Sequence, residues 1–308
     1  MRMGTILLSI CLLAPGLAGC SKDRADSGDG PKHLRVLCST FPMYLFTLNV
    51  TAGREDVIVE SMLSGGMGCP HDYALTPQDM QKIAAADVFV VNGLGLEAFL
   101  GDPVKKANAT ITVIDTSQGI HDLIQIREEN DQAGPNPHLF ADPRMAARIV
   151  RNIAAELSRI DPAGADTYRK NAQAYSARLD KLADEFVAAG KGLRSTKIVT
   201  EHAVLDYLAR SAGLQIASVI EETPGQEPSA AEMLALVKTI KASTASAVFT
   251  EPQYPAKVAR TIAREAGIPV AVLDPVASGP DNPPLDYYET VIRGNLRVLQ
   301  QTLGEKGK

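Results

Sequence analysis

The sequence predicts an α/β protein of two pseudo-symmetric lobes, each a mostly parallel four-stranded sheet flanked by helices, joined by a long linking helix. Short β-branched runs alternate with helical segments in two successive halves of the chain, and a long amphipathic segment separates the halves. The composition, 45% hydrophobic and 22% charged over 308 residues, is that of a globular chain with room for two lobes.

Four candidate strands fall in each half, because each is short, β-branched and bounded by turn residues. Those of the first half are Leu34–Cys38, Val57–Met62, Val88–Asn92 and Ile111–Ile114. Those of the second half are Lys197–Thr200, Gln215–Val219, Ala247–Thr250 and Val270–Leu273. Helices between successive strands act as crossovers, so both sheets are expected to be parallel and covered on both faces.

Capping residues mark where helices begin. Thr76-Pro77 suits the start of a helix in the first half. In the second half, Ser229 and Glu232 form a capping box that opens a helix over Ala230–Lys241.

Two helices separate the halves. The first begins at Asp142-Pro143 and runs to about Ile160, where Asp161-Pro162 interrupts it. The second runs from Ala163 to about Ala189, roughly 40 Å at 1.5 Å per residue. A helix of this length can join two lobes rigidly or cover one of them. Its apolar stripe consists of Tyr168, Ala172, Tyr175, Leu179, Leu182 and Phe186.

The first 19 residues are expected to be a signal peptide. Arg2 precedes the apolar run Ile6–Leu13, which is too short to span a bilayer. The run ends in Leu17–Cys20, which resembles the lipobox of bacterial lipoproteins and implies acylation of Cys20. An ordinary secretory peptide with a chance cysteine is the alternative. The polar stretch that follows reads as a flexible tether.

These observations predict five regions and a place in the cell. The chain would lie outside the cytoplasm, lipid-anchored to a bacterial membrane in the periplasm or at the cell surface. A net charge of -5 provides no uniform basic surface, so no nucleic-acid partner is expected, and we expect a monomer. The regions are a signal peptide (1–19), a lipidated tether (20–31), an N-terminal lobe (32–162), the linking helix (163–190) and a C-terminal lobe (191–308).

Four side chains are candidate metal ligands. His71 lies in the loop after the second strand, and His138 just before the helix cap Asp142-Pro143. His202 and Asp274 follow strands of the second half, and ligands bind outside the carboxyl ends of parallel strands. Three imidazoles and one carboxylate can hold a divalent ion, although each His alone is more often a packed or solvated residue. The two other histidines, His33 and His121, are expected to be solvated.

The chain resembles the metal-binding lipoproteins that serve ABC importers of zinc and manganese. The family's metal ligands, carried over position by position, are His71, His138, His202 and Asp274. The resemblance covers Leu34 to about Leu303. The matching segments are Pro70-His71-Asp72-Tyr73 with Thr76-Pro77, Asp87–Glu97, Asn136–Pro143, Glu201–Tyr207, Gln226–Ser229, Phe249–Pro252 and Leu273-Asp274-Pro275.

The resemblance implies a divalent metal ion as cargo, with zinc preferred. His at the position of His202 is commoner in zinc receptors, whereas Glu there is typical of manganese receptors. Imidazole suits zinc and manganese prefers oxygen ligands, so the chemistry agrees, with manganese or iron still open. Many zinc members carry a loop rich in His and acidic residues before the second ligand, which is absent or vestigial here because His121–Pro137 contains one His.

Cys69 stands where family members usually have Asp. With Cys38 at the end of the first strand, it is a candidate for a disulfide beside the site. The alternative is a thiolate near the metal, because Cys69 and His71 are two positions apart.

The resemblance implies capture of a free cation between the lobes and its delivery to an ABC transporter permease. It does not imply an enzyme, and the sequence has no HExxH or GxSxG motif. Two alternatives stay open at this point. One is a metal-dependent hydrolase with Glu201 or Glu251 as general base. The other is a surface adhesin of the lipoprotein type.

Overall fold

The computed structural model describes residues 33–68, 70, 73–100, 102–127, 133–221 and 227–304. Cys20, Cys69 and His71 therefore lie outside the described residues, as does the whole predicted signal peptide and tether. The chain from His33 onward packs as one compact unit. Within the described ranges, no helix combines the length and the apolar character needed to cross a bilayer.

The first sheet has four parallel strands, as predicted. Their order is β2-β1-β3-β4, so β1 and β3 are the central pair. The strands end within about one residue of the predicted positions. They are β1 (Leu34–Cys38), β2 (Val57–Ser61), β3 (Val88–Val91) and β4 (Thr112–Asp115).

A short antiparallel hairpin follows the first sheet and was not predicted. It consists of β5 (Gln125–Arg127) and β6 (Ala133–Pro135), in the segment between His121 and Pro137, where the sequence predicts no strand. Three-residue strands are too short to show an alternating pattern, so pairing alone identifies them. His121 itself is exposed, as expected, and so is His33.

The second sheet repeats the topology of the first. Its order is β10-β9-β7-β8 and all its strands are parallel, so β7 and β9 are the central pair. The matching strand order confirms the prediction of two pseudo-symmetric lobes. The strands are β7 (Lys197–Thr200), β8 (Gln215–Val219), β9 (Val248–Thr250) and β10 (Val270–Val272).

Nine helices lie in the described ranges and cover the two sheets. Those of the first half are α1 (Phe41–Thr51), α2 (Pro77–Ala85) and α3 (Pro103–Ala107), followed by α4 (Pro143–Ile160) and the linking helix α5 (Ala165–Gly190). Those of the second half are α6 (Asp206–Ser211), α7 (Ala230–Ser243), α8 (Lys257–Ala266) and α9 (Tyr287–Leu303).

The linking helix α5 lies against helices of both halves. It contacts α1 and α4 of the first half and α6 and α9 of the second half. All six residues of the predicted stripe are buried, and one continuous core contains residues of both sheets. Arg178 on α5 donates from Nε to Oε1 of Glu289 on α9, at 2.8 Å. The helix therefore joins the lobes through a shared core. The residue boundaries predicted for the lobes stay predictions.

The predicted helix starts form as capping motifs. Thr76 and Asp79 exchange side-chain and backbone hydrogen bonds at the start of α2, and Ser229 and Glu232 do so at α7. The side chain of Asp142 accepts from the backbone N–H of Met145 at the start of α4. This last cap fixes the start of α4 four residues after His138.

Candidate metal-binding site

The structure places two of the four predicted ligands side by side. The ring centroids of His138 and His202 are 5.3 Å apart, with an angle of 76° between the ring planes. Each residue is only 2% exposed. His138 belongs to the first half and His202 to the second, so the imidazoles meet where the lobes face each other.

His138 is held by the loop that precedes α4. A 3-10 turn over Leu139–Ala141 follows it, and the N-cap of α4 comes next. Nδ2 of Asn92, just after β3, donates to the carbonyl oxygen of Pro137 at 2.9 Å. The carboxyl end of the central strand β3 thus fixes the loop that carries the imidazole.

The amide of Asn136 determines which nitrogen of His138 carries the proton. Its Oδ1 accepts from the backbone N–H of His138 at 3.0 Å and lies 2.8 Å from Nδ1 of the same residue. Its Nδ2 donates to the carbonyl oxygen of Ala203 at 2.8 Å. A backbone N–H can only donate and a carbonyl can only accept, so the amide cannot be flipped. Nδ1 of His138 therefore bears the proton, and Nε2 bears the lone pair that a metal needs.

His202 lies at the switch point of the second sheet. It follows β7 after Glu201, and Glu251 follows the adjacent strand β9. The chain passes from β7 to β8 on one side of β7, and later returns to β9 on its other side. Open α/β sheets bind ligands at such a point, beyond the carboxyl ends of the two strands between which the direction reverses. Nδ1 of His202 is 2.5 Å from Oε1 of Glu251. Burial lowers the pKa of His202 to about 4, so its imidazole is neutral at neutral pH.

Buried carboxyl groups surround His202. Burial, with the charges of Glu251 and Glu221, raises the pKa of Glu201 to about 7. Burial raises the pKa of Asp206 to about 6, although a hydrogen bond from Asn136 opposes the shift. The pKa of Glu251 is raised well above its ordinary value by burial and by the charge of Asp274. A divalent cation would stabilise the ionised form of every one of these groups.

Asp274 is held at the end of β10 by α9. Its backbone N–H donates to Oδ1 of Asn295 at 2.9 Å, and Nδ2 of Asn295 donates back to its carbonyl oxygen at 2.7 Å. Its Oδ1 accepts from the N–H of Val276, a residue with a φ of 63°. Left-handed backbone is costly for a β-branched residue, so the turn around Asp274 is strained. Burial raises the pKa of Asp274.

The four-ligand arrangement as a whole stays a prediction. His71 is outside the described residues, and within those residues no group of three His, Cys, Asp or Glu side chains is arranged to hold a metal ion. What the structure brings together is His138 with His202, then Glu251 against His202, and Asp274 close enough to Glu251 to raise its pKa.

The disulfide between Cys38 and Cys69 also stays a prediction. Cys38 is buried and has no disulfide partner among the described residues, and Cys69 lies outside them. Burial raises the pKa of the Cys38 thiol to about 12, while a hydrogen bond with Thr47 opposes the shift. A thiol with so high a pKa is a poor metal ligand and a poor nucleophile at neutral pH.

Sequence reasoning missed the partners of the two imidazoles. Asn136 lies in a matched segment but received no role, and Glu251 was considered only as a general base. An Asn two residues before a His is typical of a local side-chain turn, which could have indicated the first pair. For the second pair, the strand order had to be known, because only the pairing of β7 with β9 brings Glu251 beside His202.

A two-lobed α/β chain whose lobes meet at buried side chains beyond the strand ends is the architecture of a solute-binding protein. Residues 36–302 match the family model described as zinc-uptake complex component A, periplasmic (ZnuA). The chain therefore belongs to this family, whose members are extracytoplasmic solute-binding proteins of metal importers.

Three relatives are similar to this chain over most of its length and most of their own. The high-affinity zinc uptake system protein ZnuA of Bacillus subtilis (strain 168) is 28% identical, with 97% of each chain covered. FpvC of Pseudomonas aeruginosa, solved with Mn²⁺, is 28% identical at a TM-score of 0.81, covering 90% of this chain and 100% of FpvC. The laminin-binding protein Lmb of Streptococcus agalactiae, described as an adhesin with metal-transporting activity, is 29% identical at a TM-score of 0.74. The match covers 87% of this chain and 99% of Lmb.

Proposed function

We propose that the protein captures one divalent transition-metal ion, zinc in preference to manganese or iron, on His71, His138, His202 and Asp274. In this proposal the N-terminal lobe is 32–162 and the C-terminal lobe is 191–308. The observation that carries the proposal is the pair of buried imidazoles, one from each lobe, whose ring centroids are 5.3 Å apart. Two imidazoles at that separation can share one ion, because Zn–N bonds are about 2.0–2.1 Å long.

The protonation states support this function. Metal binding requires a neutral imidazole with a lone pair on the facing nitrogen. Asn136 keeps the proton of His138 on Nδ1, and burial keeps His202 neutral with a pKa of about 4. Both ligands are thus ready for an ion without first losing a proton. Imidazole donors favour zinc over manganese, and zinc also exceeds manganese in the Irving–Williams order.

A binding role fits the carboxylates better than a catalytic one. A general base in a hydrolase must reach a metal-bound water. Glu251 is 2% exposed, with one oxygen beside His202 and the other accepting from Nε2 of Gln253 at 2.6 Å. Glu201 is 3% exposed and its Oε2 accepts from the backbone N–H of Glu251. Both candidates for a base are engaged inside the protein, so the bound ion would be cargo.

The proposal extends to delivery and location. The captured ion would pass to the permease of an ABC importer, with the protein acting as a monomer held at the membrane by lipid on Cys20. The anchor is tested by Cys20→Ser, which should move the protein from the membrane fraction to the soluble fraction and abolish labelling by a radioactive fatty acid. Unchanged labelling would contradict acylation at this residue.

Metal capture is tested by titrating chelator-stripped protein with Zn²⁺, Mn²⁺ and Fe²⁺ in competition with an indicator of known affinity. We expect one ion per chain, with zinc bound most tightly and with the largest increase in melting temperature. His138→Ala and His202→Ala should each weaken zinc binding strongly. The exposed His121→Ala is the matched control and should bind zinc normally.

Two results would overturn the proposal. One is zinc binding that survives His138→Ala and His202→Ala unchanged. The other is a chain that binds no divalent ion in any of the titrations. The surface-adhesin alternative is supported by the similarity to Lmb, which is described as an adhesin with metal-transporting activity, whereas the zinc-uptake relatives support metal capture better.

A further inference from the structure

The side chain of Asn136 makes four polar contacts at the boundary between the two lobes. It is fully buried, at 0% exposure. Two contacts go to His138, from its backbone N–H and from Nδ1 of its ring. The other two go from Nδ2 to the second half, to the carbonyl oxygen of Ala203 at 2.8 Å and to Oδ2 of Asp206 at 3.1 Å. Every donor of this amide is therefore in use.

The two ends of the amide act on different ligands. Its oxygen fixes the ring and the proton of His138. Its nitrogen fixes the turn from Ala203 to Asp206, which begins immediately after His202. The backbone of Asn136 is held as well, because the hydroxyl of Tyr207 donates to its carbonyl oxygen at 2.9 Å. The amide of Asn136 thus links the imidazole of His138 to the backbone that follows His202.

We propose that Asn136 is a positioning residue for metal capture, which keeps Nε2 of His138 aimed at the shared ion and holds the loop of His202 at a fixed distance from it. The proposal rests on the proposed function, because it assumes that these two imidazoles bind the metal. Asn136 itself does not touch the ion. Groups that orient metal-binding imidazoles in this way typically contribute 10–100-fold to affinity.

The first test is Asn136→Ala, with Asn108→Ala as a matched control. Asn108 also makes four side-chain hydrogen bonds, to Ile83, Ala86 and twice to Thr110, but it lies beyond the amino end of β4. Both variants lose the same number of bonds, and only Asn136→Ala loses contacts to the imidazole loops. Loss of hydrogen bonds as such is therefore common to both variants, although Asn136 is fully buried and Asn108 only partly buried.

The readouts are the zinc affinity and the ¹⁵N shifts of His138 in the metal-free protein. Wild-type protein should show a protonated Nδ1 and an unprotonated Nε2 at His138. Asn136→Ala should show a mixture of the two tautomers and a 10–100-fold weaker zinc affinity. Asn108→Ala should match the wild type in both. A variant Asn136→Ala with the wild-type tautomer and affinity would overturn the proposal.

A second pair of variants separates the two ends of the amide. In Asn136→Asp, one carboxylate oxygen can still accept from Nδ1, so the tautomer should persist. The other oxygen now faces the carbonyl of Ala203 and the carboxylate of Asp206, so zinc affinity should fall. Adding Asp206→Asn supplies an amide donor to the new carboxylate and should restore part of the affinity. If the double variant binds zinc no more tightly than Asn136→Asp, the contact of residue 136 with the second half does not contribute to affinity, and that part of the proposal is wrong.

Failure of the inference can be distinguished from failure of the proposed function. If His138→Ala leaves zinc binding unchanged, the site itself is wrong. If His138→Ala abolishes binding while Asn136→Ala changes neither the tautomer nor the affinity, only the role of Asn136 is wrong. The tautomer is measured without metal, so it tests Asn136 whatever the chain binds.

Discussion

Nδ1 of His202 lies 2.5 Å from Oε1 of Glu251, with both side chains almost completely buried. The two residues follow β7 and β9, the adjacent central strands of the second sheet. Carboxylate partners of this kind orient metal-binding imidazoles and increase their basicity. An amide has the same role at His138, so the two neighbouring imidazoles are held by partners of different chemistry, an amide and a carboxyl group.

Replacement of this carboxylate should change affinity and stability in opposite directions. We expect Glu251→Gln to weaken zinc binding about 10–100-fold, because a neutral amide orients His202 less strongly. The same change should raise the melting temperature of the metal-free protein at pH 8. The pKa of Glu251 is raised well above its ordinary value, so the folded state disfavours the ionised form that the amide replaces.

Both effects are measured on chelator-stripped protein, by zinc competition and by thermal unfolding. The exposed Glu265→Gln is the control, and it should change neither quantity. A Glu251→Gln protein with wild-type zinc affinity would show that the contact with His202 does not assist metal binding.

The stability of the metal-free protein should depend on pH through Glu201. Its pKa rises from an ordinary value of 4.5 to about 7 on folding. Between these values the folded state binds more protons than the unfolded chain, so the contribution of Glu201 to stability falls as pH rises. Glu201→Gln removes this loss, and its advantage over wild type should grow from pH 5 to pH 8, to at most about 3 kcal/mol.

His202 affects the pH dependence of stability in the opposite direction. Its pKa is lowered to about 4, so it costs stability as pH falls from its ordinary range towards that value. It is present in both proteins, but the charge of Glu201 raises the pKa of His202. The difference between wild type and Glu201→Gln therefore reports the carboxyl group together with this coupling. Urea unfolding at pH 5 and pH 8 measures that difference, with the exposed Glu55→Gln as control. An advantage independent of pH would contradict a raised pKa at Glu201.

Two adjacent glycines should respond very differently to alanine. A Cβ on Gly65 would lie 2.3 Å from the carbonyl oxygen of Gly279, whereas a Cβ on Gly66 would meet nothing within 4 Å. The N–H of Gly279 also donates to the carbonyl oxygen of Gly65 at 2.7 Å. We expect Gly65→Ala to lower the free energy of unfolding by about 1–3 kcal/mol. Gly66→Ala should be neutral or slightly stabilising. Equal urea midpoints for the two variants would refute the close approach.

The capping box of α2 should be visible as an acid-sensitive contribution to stability. Oδ2 of Asp79 accepts from the hydroxyl of Tyr73 and from the N–H and hydroxyl of Thr76, at 2.6–2.8 Å. Burial alone would raise the pKa of Asp79, but these hydrogen bonds outweigh it and the pKa is lowered. Asp79→Ala should therefore cost about 1–2 kcal/mol at pH 7.

The cost of Asp79→Ala should shrink as pH falls below about 4, because protonation removes the advantage of the wild-type carboxylate. Asp102 is the N-cap residue of α3 but makes no capping hydrogen bond, so Asp102→Ala is the control for loss of an acidic side chain at a helix start and should cost little. Chemical unfolding at pH 7 and pH 3 measures both. A cost that is equal at the two pH values would argue against an ionised cap.

Much of the fold follows from local patterns. The four-residue run Lys197–Thr200 is a strand in both prediction and structure, and the stripe from Tyr168 to Phe186 is buried along α5 as expected. These features depend on neighbours within a few residues, such as helical spacing, β-branched runs and capping side chains. The hairpin of β5 and β6 was not predicted, because strands of three residues are too short to show such a pattern.

The sequence by itself determined the strands of the two sheets, the long helix and the polar caps, and it predicted which residues bind a metal. Only the tertiary structure decided how the imidazoles are held. Asn136 and Ala203 are 67 positions apart, and Glu201 and Glu251 are 50 apart. No local rule relates residues at such separations. Their contacts depend on strand order and on the packing of the two lobes, and these set the proton on His138 and place a carboxyl group beside His202.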